Sequence, residues 1–268
     1  MLPFLNFYFC INRGMAISKY LANTQIAELI DLAEGRILGT TNIHKFGRNP
    51  SVGGAPETIW EQGGVYSYLT VASTVYVYGA DAQDGAAGTG ARTVTVQGLD
   101  ANYNEIEETL TVDGAVSTKS FLRVFRAFVA SAGSLLTNKG DVLISTGASG
   151  SGTVLAKIAT IGTGTVYGQG QTNLALYTIP AGKTAYLKNW NVGVGSYNDA
   201  VTANLYTREV GSGLIFRTRD VMDVPGGLHQ RIYEVPFRLP EKTDIEVRAI
   251  ASTGTNISST FDIIMVDN

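Results

Sequence analysis

From Gly64 to the end of the chain, apolar and polar residues alternate in short segments rich in Tyr, Val, Thr and Ile, broken by clusters of Gly, Asn, Asp and Ser. This is the signature of strands and turns. Over 92–97, Val94 and Val96 share one face and Thr93, Thr95 and Gln97 the other, so a half-buried strand is predicted, followed by a hairpin loop over 98–104. The returning strand puts Ile106, Leu110 and Val112 on one parity together with Glu108, which predicts a bulge near Glu107 or an interfacial face. Over 243–250, Ile245, Val247 and Ala249 oppose Asp244, Glu246 and Arg248, the pattern of an antiparallel strand with one solvated face, and Val201, Ala203 and Leu205 repeat it. The nearly continuous apolar run 261–266 predicts a strand covered on both faces. Phe121, Phe125, Phe128 and Val129 fit either period, and strand is the preferred reading of 121–129.

Before Gly64 the pattern differs. Leu21, Ile26, Leu29, Ile30 and Ala33 recur at helical spacing ahead of Gly35, which predicts one helix within 18–35. Residues 39–64 scatter Gly, Asn and Pro among isolated apolar residues, so an extended arm without a core of its own is expected there. Met15 looks like a second start, and residues 1–14 read as an upstream extension, with a signal peptide as the other reading. The Gly/Ser/Thr-rich stretch 147–171 marks a seam. The predicted organisation is all-β: helix and arm over 15–64, a β-sandwich over 65–165, and a second sandwich or jelly-roll-like domain over 166–268.

Composition sharpens this picture. Charged residues make up 16% of the chain, against roughly 25% in soluble domains, and 31 of 268 residues are Gly. A formal charge of -3 with no basic run argues against direct nucleic-acid binding. With Cys10 the only cysteine and His44 and His229 the only histidines, neither an internal disulfide nor a zinc site is expected. No apolar run approaches the length of about 18 residues that a membrane-spanning helix needs.

Catalytic candidates are sparse. No Gly-x-Ser-x-Gly elbow or phosphate-binding glycine loop occurs; 147–152, 85–90 and 162–170 read as turns. Two carboxylates suffice for glycoside hydrolysis, which singles out Glu57 with Glu61 and the Glu105, Glu107 and Glu108 cluster, though solvated strand faces explain them equally simply. Asp81 and Asp84 lie in a Gly-rich loop without spaced calcium ligands. Tyr66, Tyr68, Tyr76 and Tyr78 alternate, either as a binding stripe or, preferably, as core and cross-strand packing. No enzyme, cofactor or metal is expected.

Four stretches carry a resemblance: 43–50 (IHKFGRNP) with 56–60 (PETIW), 88–103 (GTGARTVTVQGLDANY), 177–183 (YTIPAGK) and 233–248 (YEVPFRLPEKTDIEVR). In these the chain beyond Met15 resembles virion structural proteins of tailed phages, marine ones in particular. The resemblance implies a place in the phage particle, assembly in the host cytoplasm, the major capsid protein or other virion proteins as partners, and a homo-oligomer, with a trimer as the expectation. Two roles follow: a head decoration or cement protein, or a tail, neck or fibre component contacting neighbours or host glycan. Aromatic residues in an otherwise coreless arm single out Phe46, Ile59, Trp60 and Tyr66 as anchors across a subunit boundary; the competing reading folds the arm back so that Trp60 plugs its own core.

Overall fold

A computed structural model describes residues 24–162, 167–196, 200–210 and 215–268. The expected extension over 1–14, the Leu21 end of the predicted helix and part of the glycine-rich stretch 162–170 lie outside the described residues. Among the described residues the regular structure is antiparallel β-sheet apart from one short α-helix, α1 (Thr24–Ala33), and a single 3-10 turn (Ala148–Gly150).

One sandwich carries the larger core. Its first sheet has the order β1-β17-β12-β15, built from β1 (Thr40–Val52), β12 (Lys183–Val194), β15 (Gly227–Leu239) and β17 (Thr255–Asp267). Its second sheet has the order β11-β16-β13-β14, from β11 (Leu176–Thr178), β13 (Val201–Arg208), β14 (Arg217–Val224) and β16 (Asp244–Ala251), with β2 (Glu57–Thr58) also pairing to β16. Between them lie Leu187, Trp190, Val192, Leu205, Ile245, Val247, Phe261 and Ile263. A bulge at Lys188, opposite an uninterrupted β17, explains why inward positions on β12 switch from Ala185 and Leu187 to Trp190, Val192 and Val194.

The second core lies between the sheet β3-β7-β8 and the sheet β5-β4-β6, where β3 is Tyr76–Gly79, β4 Ala91–Leu99, β5 Glu105–Thr111, β6 Arg123–Ala132, β7 Val142–Ser145 and β8 Val154–Ile158. Val77, Val94, Val96, Phe121, Val124, Ile144 and Leu155 fill it. The ambiguous run around Phe125 is strand β6, as preferred. Two short strands, β9 (Thr160–Ile161) and β10 (Tyr167–Gly168), pair with each other.

Three expectations are corrected. Residues 40–52, expected as a coreless arm, form a 13-residue strand paired with β17. The positions that β1 turns inward are Lys45, Gly47 and Asn49, so no apolar alternation marks it. Gly47 is required there, since a Cβ would sit 2.2 Å from the Ala175 nitrogen and 2.3 Å from the Ile59 oxygen. No bulge interrupts β5 against β4; Glu108 shares the inward parity because its carboxylate accepts the backbone N–H groups of Thr118 and Lys119 at 2.9 Å each. Partial burial pushes that carboxyl up, but those donors hold it below the usual carboxylate range. Finally, β16 is not half-solvated: Asp244 and Glu246 are as buried as the apolar residues between them.

Candidate functional site

Glu57, Glu61, Asp81 and Asp84 are occupied with loop architecture, whereas Glu105 and Glu107 are exposed beside a cleft. Glu57 accepts the backbone N–H groups of Gly53 (3.0 Å) and Gly64 (2.8 Å) and the Asn49 amide (3.1 Å), closing the loop around it. Glu61 is buried and accepts from Arg48 (3.2 Å), Gln169 (2.8 Å) and Asn173 (3.1 Å). Asp84 accepts the backbone N–H groups of Ala91, Lys139 and Gly140, tying three chain segments at one carboxylate, while Asp81 caps Gln83. His44 meets Asp262 at 2.6 Å across the β1–β17 ladder, and His229 lies 3.2 Å from the Gly226 carbonyl. Among the described residues no group of three His, Cys, Asp or Glu side chains is placed to hold a metal.

The four aromatic and aliphatic anchors separate. Ile59 belongs to the larger core, whereas Trp60 and Tyr66 pack edge to face at 5.1 Å in a small cluster with Leu174 and Leu176. The Trp60 indole donates to the Gly63 carbonyl at 2.9 Å. These three side chains are therefore covered by their own chain. Phe46 is half-buried and lines an open cleft.

Tyr66 leads to a feature that sequence patterning did not single out. Arg123 of β6, from the second core, donates through Nε and Nη2 to both oxygens of Asp244 on β16, at 2.8 and 3.2 Å. Arg208 of β13 holds the same carboxylate at 2.5 Å, and Thr178 donates to it at 2.6 Å. Two residues on, Glu246 accepts from Nε and Nη2 of Arg248, at 2.9 Å each, and from the Thr58 hydroxyl. Tyr68 lies under the guanidinium groups of Arg123 and Arg208, and Phe216 under those of Arg208 and Arg248. Burial, reinforced by Glu246 and Asp244, pushes the Tyr68 phenol well up, and its hydroxyl is buried without a hydrogen-bond partner. This network joins the two cores; it is a lock with its charges internally paired.

Two open surfaces stand out among the described residues. The first is a cleft of about 660 Å³ between β1 on one side and β5 and β6 on the other. Ile43, Phe46, Ile106 and Phe125 give it apolar walls, Glu105, Glu107 and Arg126 stand at its rim, and Tyr177 and Lys45 lie deeper. The Lys45 ammonium is buried and donates to the Phe125 carbonyl at 2.5 Å. Burial, with Arg126 nearby, pushes it down to about 7.

The second surface is β15. It closes one end of its sheet, paired only to β12, and residues 233–236 bulge out of the ladder opposite Lys188. Tyr233 and Phe237 pack in a tilted ring contact at 4.4 Å across the bulge, and Asp220 of β14 steadies it by accepting from the Tyr233 hydroxyl (3.0 Å) and Arg231 (3.2 Å). The apolar tips point outward: Leu228 is 77% exposed, Ile232 68% and Val235 84%. A run of such residues on one strand is unlike the singly scattered apolar side chains of an ordinary surface and marks a contact site. Pro236 and the bulge blunt the strand edge against simple strand addition, so recognition here runs through side chains.

No protein-family model matches the sequence, and no curated protein is similar to it. Among solved structures, the chain is similar to one in the structure of the infectious bursal disease virus Gt strain, with 10% identity, a TM-score of 0.23, and coverage of 85% of this chain and 73% of that one. It is likewise similar to a chain of the infectious bursal disease virus Gx strain, at 10% identity and a TM-score of 0.23, covering 86% and 70%. A third similarity is to the crystal structure of the infectious bursal disease virus VP2 subviral particle, at 10% identity and a TM-score of 0.18, covering 85% and 76%. The likeness is to viral structural assemblies, and at these scores it carries no functional weight by itself.

Proposed function

We propose that this chain is a non-enzymatic structural protein of a tailed-phage virion, assembled into the particle in the host cytoplasm and acting as a head decoration or cement protein on the major capsid protein or its neighbours. The observation that carries this reading is the bulged edge strand β15, which holds Leu228, Ile232 and Val235 in solvent while the arginines and acids at the junction of the two cores pair with one another. Apolar side chains displayed on a rigid strand are suited to a permanent protein contact. The resemblance of 43–60, 88–103, 177–183 and 233–248 to tailed-phage proteins supplies the setting, and the last of these stretches contains the bulge itself.

The test is particle incorporation. Chains carrying Ile232→Asp and Val235→Asp are expected to fold normally and to be lost from purified particles, because two charges in an apolar contact carry an uncompensated desolvation cost. Incorporation at the wild-type level would overturn the reading.

A second reading, a tail or fibre component contacting host glycan, is favoured by one feature. A shallow groove of about 310 Å³ on the outer face of the first sheet is lined by Asn191, Gly193, Gln230, Ser258, Ser259 and Thr260 beside the apolar Leu228, a mixture of amide and hydroxyl groups with an apolar flank that suits a sugar ring. Saturable binding of host polysaccharide by the purified chain, together with location in the tail, would favour it. Turnover of that polysaccharide, lost on changing one acid, would replace both readings with an enzyme.

A further inference from the structure

The cleft and the β15 bulge lie at opposite ends of one sheet. In the order β1-β17-β12-β15, β1 contributes a wall of the cleft and β15 carries the protrusion, with two strands between them. Their chemistry is complementary. The cleft presents apolar walls from Ile43, Phe46, Ile106 and Phe125 and a rim with two acids and one base, Glu105, Glu107 and Arg126. The protrusion presents Ile232, Val235 and Phe237 flanked by two bases and one acid, Arg231, Arg238 and Glu234, all exposed. Among the described residues, neither Glu105 nor Glu107 is in an ion pair, and neither is Arg238.

We infer that the β15 protrusion of one copy docks in the β1/β5/β6 cleft of a second copy, an inference that rests on the contact-surface reading above. Val235 and Phe237 enter the apolar cleft, Arg238 meets Glu105 and Glu107, and Glu234 meets Arg126, while Arg231 stays paired with Asp220. The apolar tips exclude water and the rim charges set the register and suppress wrong partners. Because protrusion and cleft are different surfaces at opposite ends of a sheet, the contact is head-to-tail. Such a contact leaves one protrusion and one cleft unfilled in any open oligomer, so it saturates only when copies close into a ring. Phe46 thereby acts as an intersubunit anchor, while Ile59, Trp60 and Tyr66 serve their own chain.

The test uses the full chain, with its mass in solution followed across a concentration series. Wild-type protein is expected to run as a closed multimer. Val235→Asp, Arg238→Glu, and the pair Glu105→Arg with Glu107→Arg each replace exposed residues, and each is expected to weaken self-association at least about tenfold, shifting the mass towards a single chain. Combining Arg238→Glu with the two Glu→Arg changes restores opposite signs across the contact and is expected to recover the multimer. A wild-type chain that stays monomeric, charge variants that keep the wild-type mass, or a combined variant that is not rescued would each overturn the docking. Particle incorporation separates the two claims: a monomer that still enters particles contradicts the docking alone, and a multimer that never enters them contradicts the virion reading alone.

Discussion

At the junction of the two cores, Arg123, Arg208 and Arg248 are matched to the buried Asp244 and Glu246 and stacked on Tyr68 and Phe216. Along β15 the arrangement is reversed: Leu228, Ile232 and Val235 stand in water and the charges sit around them. The inner region is polar where a core is normally apolar, and the outer one is apolar where a surface is normally polar. The contrast teaches where each kind of specificity is used. Buried ion pairs fix how this chain's own halves meet, since any other register would leave a charge unpaired in low dielectric. Exposed apolar tips leave a contact unfilled until another chain arrives.

The largest effect that could break this comparison is at the junction. Arg123→Ala strands Asp244 with one fewer donor in a buried site, and a loss of about 3–5 kcal/mol is expected in urea unfolding. A loss under about 1 kcal/mol would mean that the network does not hold the cores together.

Lys45 follows. Its ammonium is pushed down to about 7 in the folded chain, from an ordinary value of 10.5. Between those values the unfolded chain binds the proton and the folded chain does not, so stability rises with pH from about 7 to about 10.5 and is flat below and above for this group. Lys45→Met should remove that slope in unfolding midpoints measured across the window. An unchanged slope would show that another group carries it.

Tyr68 sharpens the picture of the junction. Its buried hydroxyl has no partner, so Tyr68→Phe is expected to be neutral or to stabilise by up to about 1 kcal/mol, where loss of a satisfied hydroxyl would destabilise. The smallest stability effect belongs to the outer region: Val235→Asp should change the unfolding free energy by less than about 0.5 kcal/mol while removing assembly. A large destabilisation there would place Val235 in the chain's own core energetics.

The all-β class and the strands around Val94, Ala203 and Val247 were legible because their own side chains alternate, whereas the run around Val124 fitted either period. β1 was not, since its inward positions are Lys45, Gly47 and Asn49 and its partner β17 lies about two hundred residues away. The same limit hid the junction. Asp244 and Glu246 look like solvent-facing strand residues until Arg123, distant in sequence, is brought against them. Aromatic content in 46–66 singled out Phe46, Ile59, Trp60 and Tyr66, but aromatic residues serve a core and an interface alike, and only the fold separates the half-buried Phe46 from the other three, which their own chain covers. The β15 tips carried no local signal because Leu228, Ile232 and Val235 read as ordinary strand residues.

The most direct test of the central claim is to image purified phage particles and locate this chain in them. The account predicts density for the chain in the head shell, with the β15 bulge and Val235 buried against a neighbouring subunit; particles without the chain, or with β15 facing solvent in every copy, would contradict it.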